Sequence, residues 1–224
     1  MTRSSHAIQI GPSILSADFL HLGQQLDDLA AGGADYIHFD VMDGRFVPNI
    51  SIGLPVLESV RVGTALPIDA HLMMVDPEAW IDPFREAGAD SITVHVEATC
   101  HLHRLVTAIA ETGAGAGVAL NPATPVAAIE EIVPFVNKIL VMTINPGFGG
   151  QTFIPQMADK VARVRALIDR VNPACRLEVD GGINVHTIGE VVRAGADTLV
   201  AGTAVLNDHA SVAENIAALR AAIG

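Results

Sequence analysis

Three copies of one triplet, Gly33-Ala34-Asp35, Gly88-Ala89-Asp90 and Gly195-Ala196-Asp197, recur at the same point of a longer pattern. Each follows a stretch of helical period and precedes a short apolar run, where a left-handed glycine ends a helix. Their aspartates lie about 55 and 107 residues apart, close to two and four units of roughly 27 residues. Eight such units occupy nearly all of the 224 residues. Apolar runs predict strands over 8–13, 36–40, 68–72, 91–95, 117–120, 138–143, 176–180 and 198–201. Helical period follows each, over 19–31, 54–60, 78–87, 102–111, 126–132, 157–171, 185–193 and 212–223. Asp76-Pro77-Glu78 reads as one helix start, an aspartate cap with proline in the first turn. Strands alternating with helices make right-handed crossovers and a parallel sheet. Eight units in this length predict a single (β/α)8 barrel domain over residues 1–224, with 1–7 a flexible N-terminal extension. A doubly wound sheet of six strands is the rival; it leaves units over, and no Gly-x-Gly-x-x-Gly follows the first strand.

Composition narrows the class. Aromatics are 4% and charged residues 17%, against about 25% charged in an average domain, so the chain is apolar enough to fold. A net charge of −12 argues against nucleic acid and anionic membranes as partners, since both need a basic face. No apolar run approaches the ~18 residues of a membrane span, and the N-terminus lacks the apolar core of a secretory signal. Cys100 and Cys175 show no metal-like spacing and read as reduced thiols. A cytoplasmic location is expected.

In such barrels the chemistry gathers at the C-terminal ends of the strands. The second strand ends His38-Phe39-Asp40, and alternate residues share a face, so both polar groups point inward. His71 ends the third strand and Asp180 the seventh. Two imidazoles and two carboxylates converging from three strands form a candidate site for a divalent ion, Zn²⁺, Fe²⁺, Co²⁺ or Mn²⁺. Each histidine alone reads more readily as hydrogen-bonded core than as a ligand. Asp69 and Glu178 lie deeper and read as structural, while His95 and Glu97 fall on the rim.

Glycines form a second constellation: Gly147, Gly149 and Gly150 around Phe148 after the sixth strand, Gly181-Gly182 after the seventh, and Gly202-Thr203 after the eighth. Loops of this kind bring backbone amides close to a phosphate. The chain's two lysines, Lys138 and Lys160, fall at a strand start and in a helix. A Schiff-base lysine in the barrel mouth is thereby excluded.

The stretches Pro12–Asp18, His38–Gly44, Phe46–Asn49, His71–Met73, Asn145–Gln151 and Val179–Ile183, in this order, resemble the ribulose-phosphate 3-epimerase family. The resemblance implies a TIM barrel of the ribulose-phosphate-binding type. It implies interconversion of D-ribulose 5-phosphate and D-xylulose 5-phosphate by two-base proton transfer at C3 through a cis-enediolate. It makes His38, Asp40, His71 and Asp180 the ligands of one divalent metal per subunit, with Asp40 and Asp180 doubling as acid and base. Ser13, His71 and Asp180 would contact the sugar, and Gly147, Phe148, Gly149, Gly150, Gly181, Gly182, Gly202 and Thr203 its phosphate end. Met42, Met73 and Met142 would lie near the enediolate, or else serve as flexible core filler. The family implies a homo-oligomer. Arg45 and Thr203 depart from its usual His and Ser. An epimerase of the same family acting on a hexulose 6-phosphate such as allulose 6-phosphate is the nearest alternative. A non-catalytic sugar-phosphate-binding barrel is a more distant one. Related decarboxylases carry Asp-x-Lys-x-x-Asp on the third strand; Asp69-Ala70-His71 lacks that lysine.

Overall fold

The computed structural model describes residues 6–223. Eight parallel strands follow the predicted positions: β1 (Gln9–Pro12), β2 (Ile37–Met42), β3 (Ile68–Met73), β4 (Ser91–His95), β5 (Gly115–Leu120), β6 (Lys138–Met142), β7 (Arg176–Asp180) and β8 (Thr198–Ala201). Their hydrogen-bonded order runs β1-β8-β7-β6-β5-β4-β3-β2, and a parallel bridge between Ser13 and His38 brings the two ends together into a nearly closed barrel. Around it lie α1 (Leu22–Ala31), α2 (Leu54–Gly63), α3 (Ile81–Glu86), α4 (Leu102–Glu111), α5 (Met157–Val171), α6 (Ile188–Ala194) and α7 (Val212–Ala222). Of the extension expected over 1–7, residues 1–5 lie outside the described residues. Ala7 accepts a hydrogen bond from Arg176, and His6 lies within hydrogen-bonding distance of the Pro173 carbonyl.

Two local expectations need correction. The helix predicted over 126–132 is a pair of 3-10 turns, Val126–Ile129 and Val133–Phe135. Pro125 and Pro134 bracket a segment too short for a stable α-helical ladder, and its bonds run i to i−3 instead, as from Ala128 to Pro125 at 3.0 Å. Nor does Asp76 cap its helix with its side chain; its backbone is left-handed, with φ 49°. Pro83 supplies no N–H, so the chain makes a 3-10 turn over Pro77–Trp80 and starts α3 at Ile81, placing Pro83 in the first turn.

The triplets have a structural use. Gly33, Gly88 and Gly195 all adopt positive φ, as a helix stop requires. Beyond each stop the aspartate turns to the strand before it. Asp35 accepts from the Ile10 amide at 2.7 Å, Asp90 from Ile68 at 2.9 Å and Asp197 from Leu177 at 3.2 Å. Arg220, Arg61 and Arg165 pair with these same three carboxylates. Asn137 makes the equivalent bond to the Ala116 amide at 2.9 Å, without a triplet to announce it.

The main apolar core lies between the strands and the helices, where Ile10, Ile37, Phe39, Leu72, Ile92, Val118 and Val179 meet Leu29, Leu57, Val164 and Ile188. Inside the barrel the filling is largely polar: His38, Asp69, His71, Thr93, His95, Lys138 and Glu178 are all buried. Lys138 reaches in from the start of β6 to Asp69 and, at 2.7 Å, to Glu178; Tyr36 donates its hydroxyl to Glu178. Burial alone would lower the Lys138 ammonium, but the two carboxylates outweigh it and raise its pKa. Beneath this cluster a cavity of about 190 Å³ opens at the N-terminal mouth, walled in part by Tyr36, Asp69 and Lys138.

Candidate active site

The larger cavity, about 630 Å³, lies at the opposite mouth, above the C-terminal ends of the strands. Strand register builds its floor. β2 and β3 pair so that Asp40 stands level with His71, and β6 and β7 so that Met142 stands level with Asp180. Asp40 Oδ1 lies 3.0 Å from His71 Nδ1 and 3.2 Å from His38 Nε2, and Ser13 donates to Asp40 Oδ2 at 2.5 Å. One ligand atom from each of His38, Asp40, His71 and Asp180 falls within 4.8 Å of the others. Neither nitrogen of the fully buried His38 ring makes a well-aligned hydrogen bond, although a carboxylate oxygen lies 3.2 Å from each. An imidazole orphaned in this way, beside two carboxylates and a second imidazole, is the donor set that a divalent cation satisfies. The four residues therefore form a possible metal-binding cluster.

The two carboxylates of the cluster differ. Burial pushes Asp40 up, but the imidazoles of His38 and His71 outweigh it and hold its carboxyl well below the ordinary range. Burial and then the neighbouring charge of Asp40 push Asp180 up to about 7. His38 Nδ1 points away from the cavity, 3.2 Å from Asp69.

Ser13, Asp40, Asp180 and the three methionines, Met42, Met73 and Met142, line the cavity. So do Gly147, Phe148, Gly149, Gly150, Gly181, Gly182, Gly202 and Thr203, which the fold brings together from three loops. His38 and His71 stand behind this wall, fully buried. Among the described residues no lysine lines the cavity. Gly182, at φ 67°, passes so close to the next loop that a Cβ there would lie 2.4 Å from the Phe153 nitrogen. The carbonyls of this turn are held by side chains: Thr143 bonds those of Asp180 and Gly181, and Thr187 that of Gly182.

Several residues of the site escaped the sequence reading. Ser16 stands against Gly202 in the cavity wall, and Asn49 donates to the Gly147 carbonyl at 2.9 Å, tying the loop after β2 to the loop after β6. His95, expected on the rim, is fully buried against His71. Burial pushes the His95 imidazole down to about 4, so the ring is neutral at neutral pH. Burial opposes ionisation of Glu97, but hydrogen bonds from His95, Thr124 and Asn121 outweigh it and lower the carboxyl to about 2. Lys160 donates to the carbonyls of Asn121 and Pro122 from α5. Arg45 is exposed on the loop after β2.

The chain resembles known proteins over most of its length. It is 51% identical over 199 residues to a ribulose-phosphate 3-epimerase of Bacillus subtilis (strain 168), covering 88% of this chain and 92% of that one. It is 49% identical over 199 residues to the ribulose-phosphate 3-epimerase of Escherichia coli (strain K12), covering 88% of each. Among solved structures, the 3-keto-L-gulonate-6-phosphate decarboxylase of Vibrio cholerae shares the fold with a TM-score of 0.73 at 17% identity, covering 98% of both chains. The profile of the ribulose-phosphate 3 epimerase family matches residues 9–206. The chain belongs to the ribulose-phosphate 3-epimerase family.

Proposed function

We propose that the protein is an isomerase that interconverts D-ribulose 5-phosphate and D-xylulose 5-phosphate. The observation that carries this reading is the placement of two carboxylates, Asp40 and Asp180, at the floor of one glycine-walled cavity. Inverting C3 requires removal of the proton α to the C2 ketone and its replacement from the opposite face. In one direction Asp40 takes the C3 proton and Asp180 delivers one to the other face. The roles exchange in the reverse direction, through a cis-enediolate. Ser13 holds Asp40 in place through its hydroxyl. His38, Asp40, His71 and Asp180 would hold one divalent metal, Zn²⁺, Fe²⁺, Co²⁺ or Mn²⁺, which would stabilise negative charge developing on the substrate. The glycine loops would take the phosphate, and the methionines give the reacting carbons an apolar wall that excludes water.

The test is turnover of ribulose 5-phosphate beside allulose 6-phosphate, before and after chelation. Faster turnover of ribulose 5-phosphate, lost with the metal and restored by one of the four ions, is the expected result. Preference for allulose 6-phosphate would move the substrate to a six-carbon sugar, and full activity after exhaustive chelation would remove the metal.

The phosphate loops have a test of their own. Gly182→Ala adds a left-handed alanine and a clash with backbone that cannot swing away, together on the order of 2 kcal/mol. KM for ribulose 5-phosphate is expected to rise about tenfold or more, with a smaller change in kcat; an unchanged KM would place the phosphate elsewhere.

We read the chain as one barrel domain acting in the cytoplasm as a homo-oligomer. No helix among the described residues is long and apolar enough to cross a membrane.

A further inference from the structure

We propose that His95 and Glu97 are positioning residues that hold the His71 ring in the one tautomer able to offer Nδ1 to a metal ion. The inference rests on the metal site proposed above. Register places the two rings together: His71 pairs with Thr93, and His95 stands two residues further along the same inward face of β4. Their Nε2 atoms are 2.8 Å apart, with ring centroids at 5.0 Å and planes 24° apart. This is the edge-to-edge geometry of a ring-to-ring hydrogen bond, in which one Nε2 carries the proton and the other accepts it.

The other end of the chain decides which. His95 Nδ1 lies 3.2 Å from Glu97 Oε2. Glu97 Oε1 already accepts from the Asn121 amide at 2.8 Å and from the Thr124 hydroxyl. A carboxylate accepts, so His95 donates from Nδ1, and an imidazole carrying a single N–H then has a bare Nε2. The proton between the rings is therefore on His71 Nε2, which leaves His71 Nδ1 as a lone pair 3.0 Å from Asp40 Oδ1. Two acceptors facing each other at that distance need a positive centre between them, a proton in the empty site or a metal ion in the filled one. His38 Nε2 and Asp180 supply the remaining ligand atoms within 4.8 Å. With the opposite tautomers, two acceptors would face each other at His95 and Glu97 instead, where that ligand set is absent. Partners that fix a metal-bound imidazole in this way commonly change metal affinity 10- to 100-fold when removed.

The experiment measures Zn²⁺ affinity of the full chain by competition with a chromophoric chelator. His95→Leu removes the acceptor and is expected to weaken binding by about 10- to 100-fold. His95→Gln, whose amide oxygen accepts from His71 Nε2, is expected to recover most of it. Glu97→Gln places an amide NH₂ against either His95 Nδ1 or the Asn121 amide, so it also weakens binding; being partly exposed, it tests the proposal even where His95→Leu fails to fold. In the Zn²⁺-loaded protein, two-bond nitrogen–proton NMR correlations are expected to show His71 protonated at Nε2 alone. Wild-type Zn²⁺ affinity in a folded His95→Leu or in Glu97→Gln, with His71→Ala binding weakly, would overturn the proposal, as would a His71 ring protonated at Nδ1. Wild-type affinity in His71→Ala would instead overturn the metal site beneath it.

Discussion

Asp180→Asn is expected to lower turnover of ribulose 5-phosphate by at least about 10³-fold, measured with saturating divalent metal. Loss of one positioned acid or base typically costs 10²- to 10⁴-fold. Here the same change also removes a candidate metal ligand and the group that burial and Asp40 push up to about 7. Asparagine keeps the shape of the side chain, so the cavity wall survives. Solvent deuterium makes the result diagnostic. With Asp40 intact, C3 hydrogen exchange should persist on the epimer whose C3 hydrogen faces Asp40 and vanish on the other, because inversion needs a donor on the opposite side. Turnover within tenfold of wild type, or equal exchange in both epimers, would refute the two-base assignment.

Lys138→Met is expected to cost the fold about 3 kcal/mol without touching the cavity above. Removing one partner of a buried ion pair typically costs 3–5 kcal/mol, because the other charge stays buried. Lys138 neutralises two carboxylates at once, Asp69 and Glu178, both almost wholly buried. The 190 Å³ cavity below lets water reach this cluster, which favours the lower end of that range. For a chain of this length 3 kcal/mol lowers Tm by roughly 10 °C. Adding Glu178→Gln to Lys138→Met should recover part of the loss, since it removes one stranded charge. A melting temperature unchanged by Lys138→Met would mean that Asp69 and Glu178 are neutralised by some other group.

The eight strands were legible as apolar runs alternating with helical period, and three of them also follow a Gly-Ala-Asp turn signal. His38 and Asp40 were legible from the two-residue period of a strand. The same rule applied to Thr93-Val94-His95 points His95 inward; its partner was hidden, because only the register of β3 against β4 sets it beside His71. The 3-10 turns over 126–135 were misread as a helix because apolar spacing was weighed above Pro125 and Pro134. The role of Asn137 was invisible, since its residue type differs from the three aspartates whose work it shares. Ser16 and Asn49 lie in stretches that carry the family resemblance, but no strand period or glycine pattern gives them a role, and contacts between loops join them to the site.

Those four clamps group the strands into quarters, β1 with β2, β3 with β4, β5 with β6 and β7 with β8, and backbone bonds at the same rim join each quarter to the next. The proposed metal ligands draw on three of them: His38 and Asp40 from the first, His71 from the second, Asp180 from the fourth. The third quarter supplies Gly147 to Gly150, which the proposed function gives to the phosphate beside Gly181 and Gly182 of the fourth. Metal and substrate would thus add side-chain ties between quarters at the top to the backbone bonds that join them at the bottom, and occupying the site would add to the cohesion of the barrel.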